Sequence, residues 1–148
     1  MLIPMQTRIA AYALIISDDK LLLSHWRRGQ MHGWTLPGGG IDPGEDPADA
    51  CVREVFEETG YQARVGRVLG VDSRILVRED PRPGEAAGLH TIRIVYDAEV
   101  IRGELTPEAD GSSDDAAWVA LSEVPSLRQL SLVEIALGML EQDRARTR

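Results

Sequence analysis

Between Pro37 and Gly60 the chain runs from a Pro-Gly-Gly-Gly breaker, through a loop at Asp42-Pro43-Gly44, into a segment bounded by Asp46-Pro47 and closed by Gly60. Asp46 is an N-cap candidate, proline suits the first helical position, and a terminal glycine accepts the left-handed conformation that ends a helix. The spacing therefore predicts a helix over 47–59. The glycines ahead of it are expected to break regular structure and form a loop led by backbone. At about 100° per residue, Ala48, Cys51, Val52, Val55, Phe56 and Thr59 gather on one side, which is expected to pack inward. Glu54, Glu57 and Glu58 fall within an arc of about 100° on the opposite side, so three carboxylates share one patch.

Around this helix the pattern is mostly strand. Arg8 to Ser17 and Leu21 to Leu23 are apolar runs joined at Asp18-Asp19, which reads as a hairpin. Gly33 to Leu36, Val65 to Val77, Leu89 to Ile101 and Ala116 to Leu121 are further strand candidates, with a Pro- and Gly-rich connection from Glu79 to Gly88. Ser122 opens a helical turn ending near Pro125, and Leu130 to Gln142 is apolar at helical spacing. Strands on both sides of a central helix predict an α/β fold, a mixed sheet with helices packed on its faces. At 148 residues a single domain, 1–148, is expected.

Charge and composition remove several classes of function. A net charge of −8 excludes a long nucleic-acid duplex as partner, because phosphate binding on that scale needs a basic face. No apolar run is long enough to span a membrane and no leader precedes the first strand, so a cytoplasmic protein is expected. The single cysteine, Cys51, forms no internal disulfide and lies among apolar helix positions, which argues against a catalytic thiol. The apolar C-terminal helix points to a homodimer.

Like charges at helical spacing cost a few tenths of a kcal/mol per pair, so the acidic patch does not exist for local stability. Carboxylate oxygens suit a hard cation such as Mg²⁺, which commonly bridges protein carboxylates to phosphates. An exposed E-x-x-E-E alone is most often a solvated helix face. Its surroundings decide otherwise: Gly39, five residues, Glu45, seven residues, Arg53-Glu54-Val55, one residue, Glu57-Glu58, one residue, Gly60-Tyr61. A chance match to this pattern has a probability on the order of one in ten million. The stretch GGIDPGEDPADACVREVFEETGY resembles the Nudix box, the signature of hydrolases acting on nucleoside diphosphates linked to another moiety. Upstream Leu21-Leu22-Leu23 and Trp34-x-Leu-Pro-Gly-Gly, and downstream Trp118-Val119-x-Leu-x-Glu, are also similar to the family's layout. The departure is Tyr61, where relatives carry an aliphatic residue.

The resemblance implies a Nudix-type α/β/α sandwich with a mixed β-sheet and the box as loop-helix-loop. It also implies a Mg²⁺ site, with Mn²⁺ as substitute, held by Glu54, Glu57, Glu58 and the carbonyl of Gly39. Glu57, Glu58 and Arg53 are the expected catalytic residues, with Arg53 orienting a glutamate through its planar fork. Glu45 is expected either to complement the helix terminus or to reach metal. The general base is a box glutamate, Glu57 or Glu58, or an acidic residue outside it: Glu108 by preference, otherwise Asp110, Asp114 or Asp115. Arg27 and Arg28 are expected near the phosphates, and Trp26 offers a stacking surface for a base. His25, His32 and His90 lack metal-ligand spacing, and Trp34 and Trp118 read as core.

The resemblance also bears on the substrate. Ser73-Arg74-Ile75-Leu76-Val77 lacks the proline of ADP-ribose cleavers, and no tyrosine lies near Glu79 as in dinucleoside polyphosphate cleavers. The expectation is therefore a nucleotide pyrophosphohydrolase converting a nucleoside triphosphate, oxidised forms included, to the monophosphate and pyrophosphate. ADP-ribose or a dinucleoside polyphosphate is the alternative. A reading of a different class, a non-catalytic nucleotide-binding module, is disfavoured because every box glutamate is present.

Overall fold

A computed structural model describes residues 4–147. Strands β1 (Met5–Leu14), β2 (Ile16–Ser17), β3 (Lys20–Arg28), β4 (Met31–Thr35) and β5 (Gly38–Gly40) precede helix α1 (Pro47–Thr59). Strands β6 (Tyr61–Val77), β7 (Gly88–Gly103) and β8 (Ser113–Ala120), a 3-10 turn at Val124–Ser126 and helix α2 (Ser131–Arg146) follow it. One sheet has the order β5-β1-β7-β6; it is mixed, because β1 runs parallel to β7 while its other pairs are antiparallel. The second sheet is antiparallel and centres on β3, flanked by β4 and β8 and capped at one end by β2.

Strand alternation sorts β1 between two cores. Ala11 and Ala13 face α1, packing with its Cys51 and Val55 and with Leu22 and Tyr96. Leu14 faces the other way, joining Leu21, Leu23, Leu36 and Val95 beneath Leu132, Val133 and Ala136 of α2. Helices thus cover opposite sides of the sheets, which makes the fold the α/β/α sandwich expected. Leu132, Val133 and Ala136 of α2 are buried in this core, and Leu137, Met139 and Leu140 pack partly against it. Among the described residues no helix is long and apolar enough to cross a membrane.

Several expectations change. The turn at Asp18-Asp19, with φ 52 and 59, closes a hairpin only between β2 and β3; Arg8 to Leu14 belongs to the other sheet. The Gly38-Gly39-Gly40 stretch is not a loop. It forms β5, antiparallel to β1 with Ala11 opposite Gly39, because backbone pairing needs no side chains. The box helix keeps its expected bounds and closes on Gly60 at φ 80, but Asp46 makes no side-chain capping bond. Phe56, expected inside, is 60% exposed, whereas Glu58, expected outside, is 7% exposed. On the helix Glu58 lies about 20° from the fully buried Cys51 and Phe56 about 140° from it, so the buried side takes in Glu58, which meets the bare backbone of β5, and leaves Phe56 out.

Candidate active site

At Gly38, whose φ is 150, a Cβ would lie 2.3 Å from the Ala11 carbonyl oxygen and 2.6 Å from the Tyr12 Cα. At Gly39 a Cβ would lie 2.7 to 3.0 Å from the carboxyl atoms of Glu54. The side chain missing at Gly39 leaves the space that the Glu54 carboxylate fills, and the one missing at Gly38 lets β5 lie close against β1. Glu58 enters deepest: its Oε2 accepts a 2.9 Å hydrogen bond from the Gly38 N–H. Burial pushes the Glu58 carboxyl up to about 8, against the Gly38 and Ser113 hydrogen bonds that lower it, while Glu54 and Glu108 add to the rise. Burial also raises Glu54, with Arg53 opposing.

Arg53 knits this end of the helix to the loop. Its Nε and Nη2 donate to the two oxygens of Glu45 at 2.9 Å, and its Nη1 donates to Glu54 at 3.0 Å and to Glu57 at 3.3 Å. Nη2 also donates to the Gly40 carbonyl at 3.1 Å. Glu45 is consequently held at about 2, first by Arg53 and then by the Asp42 N–H. Its carboxylate is taken by the arginine and the loop and does not cap the helix.

The three box glutamates are close in sequence but differ in setting. Glu57 is 45% exposed, Glu54 is 19% exposed and shares Arg53 with it, and Glu58 is turned onto Gly38. Among the described residues no three His, Cys, Asp or Glu side chains meet at one ion-sized point. The donor chemistry nevertheless fits a hard divalent cation. Every donor is an oxygen, the bare Cα of Gly39 leaves Glu54 against backbone, and Glu58 is a buried carboxyl with no cationic partner among the described residues.

Of the bases expected outside the box, Glu108 is the one that senses the cluster: burial raises it first, then Glu54 and Glu57. Asp114 is engaged by His25 Nδ1 at 2.5 Å and Arg27 Nε at 3.0 Å, which lower it. Asp115 accepts from the Ala116 N–H at 2.8 Å, and Asp110 is exposed. His25 and His32 contact each other at 3.2 Å, with His32 lining the same cleft as Glu54 and Glu58, and His90 contacts Ser73 at 3.1 Å. Cys51 is fully buried and its thiol is pushed up to about 12 by burial, so it supplies no thiolate. Tyr61, the unusual box residue, accepts a 2.9 Å hydrogen bond from Trp118 Nε1 and so links β6 to β8.

The cleft above Glu54 and Glu58 has a volume of about 560 Å³, and Trp26 lines it. Arg27 and Arg28 do not; they are spent on Asp114 and Glu85. The arginines that do line it are Arg8, Arg74, Arg93 and Arg128, none of which the sequence reading singled out. For Arg93 the alternation Thr91-Ile92-Arg93-Ile94 is a usable signal; the others are isolated basic residues with no spacing.

The buried Glu58 makes stability depend on pH. A carboxyl raised from 4.5 in the unfolded chain to about 8 in the fold gives stability that is complete at low pH and is lost as pH rises through that interval. In chelator, the wild-type midpoint is expected to fall by about 5 °C from pH 6 to pH 8 and then level off. Thermal melts of Glu58→Gln should lack that slope; equal slopes would refute the burial effect.

Comparison with known proteins finds a family model and relatives over most of the chain. The family model described as the NUDIX domain matches residues 6–139. An ADP-ribose pyrophosphatase of Methanocaldococcus jannaschii is 36% identical over 120 residues, covering 80% of this chain and 65% of that protein. The human diphosphoinositol polyphosphate phosphohydrolase 3-alpha is 43% identical over 65 residues, covering 44% of this chain and 37% of that protein. The chain thus spans just under two thirds of the first relative's length and just over one third of the second's. A MutT NUDIX hydrolase from Burkholderia pseudomallei superposes with a TM-score of 0.69 at 29% identity, over 90% of this chain and 98% of that one. A NUDIX hydrolase from Nitrosomonas europaea reaches 0.75 at 23% identity, over 93% and 90%.

Proposed function

The chain belongs to the Nudix family, and from that premise we propose that it is a pyrophosphohydrolase acting on a nucleoside diphosphate linked to another moiety. The observation that carries the proposal is the meeting of Glu54, Glu58, Arg53 and the glycine strand at one end of an arginine-lined cleft. Glu54, Glu57, Glu58 and the Gly39 carbonyl would hold Mg²⁺ or Mn²⁺. When bound, the metal supplies neutralisation of the diphosphate and a lowered pKa for the attacking water. Arg53 orients Glu54 and Glu57 and fixes the loop through Glu45 and the Gly40 carbonyl. Glu57, exposed and in reach of solvent, takes the proton from water. Glu108 is the second candidate for that proton, favoured by its partial burial beside the cluster. Trp26 offers an apolar face to the base, and the cleft arginines receive phosphate.

For the linked moiety, the name of the archaeal relative favours ADP-ribose over the nucleoside triphosphate expected from the residues after the box. A panel of ADP-ribose, ordinary and oxidised nucleoside triphosphates and dinucleoside polyphosphates, with Mg²⁺ and products identified by mass, tests both. Release of AMP and ribose 5-phosphate from ADP-ribose is the expected result. Release of a monophosphate and pyrophosphate from a triphosphate alone would restore the other reading. Binding without turnover across the panel would make the chain a nucleotide-binding module.

A further inference from the structure

Sheet register puts Arg8, Thr91 and Arg74 on one rung: Arg8 pairs with Thr91 across β1 and β7, and Thr91 pairs with Arg74 across β7 and β6. Directly paired residues project from the same face, and all three line the cleft. The rung spans two strand spacings, about 10 Å. Its β1 end lies by the glutamates: a Cβ on Gly40 would come 3.4 Å from Arg8 Nε, and Arg8 is among the charges that act on Glu54. Its β6 end lies by the segment that leads into α2. Arg74 Nη1 reaches the Ser131 hydroxyl at 3.4 Å, and Arg128, fastened through Nε to the His32 carbonyl at 3.0 Å, lines the cleft from that segment.

Three of the four arginines that line the cleft, Arg8, Arg74 and Arg128, lack a counter-charge among the described residues. Arg27, Arg28, Arg64 and Arg67 each contact a carboxylate, and the buried Arg93, one rung inward, is paired with Asp72. Among the described residues Arg8, Arg74 and Arg128 form no such pair, although the chain has 24 acidic residues against 16 basic ones. Guanidiniums that share one cleft and are paired with no carboxylate repel one another until an anion joins them. A diphosphate held beside Glu54 and Glu58 engages the Arg8 end. Arg74 and Arg128, across the cleft, remain for a second anion.

We propose that Arg74 and Arg128 form a second phosphate site, so that the preferred substrate carries a further phosphate group on the far side of the scissile anhydride. This rests on the nucleotide reading of the cleft and narrows it. That phosphate has two chemical sources, the terminal phosphate of a nucleoside triphosphate or a phosphate on a linked sugar.

Two matched pairs of substrates separate them: ADP against ATP, and ADP-ribose against ADP-ribose phosphorylated on its terminal ribose. For the true source, the added phosphate is expected to raise kcat/KM at least tenfold, mainly through KM, since one charge-assisted contact carries about that factor. The ratio should fall towards one in Arg74→Gln and Arg128→Gln and stay high in Arg64→Gln, which removes a surface charge elsewhere. A ratio near one for both pairs in the wild type overturns the proposal, as does a ratio that the cleft variants leave intact. A second measurement does not depend on turnover. In chelator, inorganic tripolyphosphate should raise the melting temperature of the wild type, and the double variant should lose most of that rise. No rise in the wild type refutes the anion site; a rise without hydrolysis of any nucleotide refutes the proposed reaction and leaves the site standing.

Discussion

Glu57→Gln is expected to fold like the wild type and to lose at least about a hundredfold in turnover, the scale typical of removing one acid-base group. The fold should survive because the side chain is 45% exposed and its partner within the protein, Arg53 Nη1 at 3.3 Å, keeps Glu45 and Glu54. Glutamine preserves the shape and removes the charge that binds cations and the oxygen that accepts a proton. Steady-state rates on whichever substrate the panel identifies, together with a melting curve, check both halves. Wild-type rates would remove Glu57 from the chemistry and return Glu108 as the base. Equal loss in Glu57→Gln and Glu108→Gln would mean that the two carboxylates act together.

The largest effect on the fold is expected at Gly38→Ala. The new methyl would sit 2.3 Å from a backbone oxygen and 2.6 Å from a backbone carbon of β1, and neither can swing aside as a side chain does. The φ of 150 adds strain for any residue with a Cβ. The cost should be about 3 kcal/mol or more, a fall of about 10 °C in the melting midpoint. Gly44→Ala is the control: its φ of 81 is also unfavourable, but a Cβ there meets nothing within 4 Å, so about 1 kcal/mol is expected. A Gly38→Ala protein as stable as the control would show that β5 can move away from β1.

The helix ends are legible in the sequence because Pro47 and Gly60 act locally, one through a fixed φ and the other through a left-handed one. The family is legible from the spacing of the box residues, and the fold class from strands on both sides of a central helix. What lies beyond reach is set by contacts distant in sequence. Three glycines carry no side-chain pattern, so β5 is visible only once β1 is beside it. Polarity assigns Glu58 to solvent, yet it is buried with Val55, about 60° away around the helix, because polarity alone does not reveal the strand of bare backbone beside it. Arg8, Arg74 and Arg128 come from two strands and a connecting segment, and only register brings them to one cleft. Arg27 and Arg28 are plausible from their place after a strand, but their charge is cancelled by Asp114 and Glu85, the latter 57 residues away from Arg28.

The position of β1 has a consequence for how the molecule is made. Its residues from Met5 to Leu14 run beside Gly88 to Asp97, while its other edge carries Gly38 to Gly40. During synthesis this segment emerges before its parallel neighbour, which is translated only after the box helix is complete, and pairings that bridge so much chain form slowly. The glycine edge and the carboxylates set on it therefore gain their final footing only when β7 arrives, so nascent chains halted before Asp97 should carry an intact signature and no working centre.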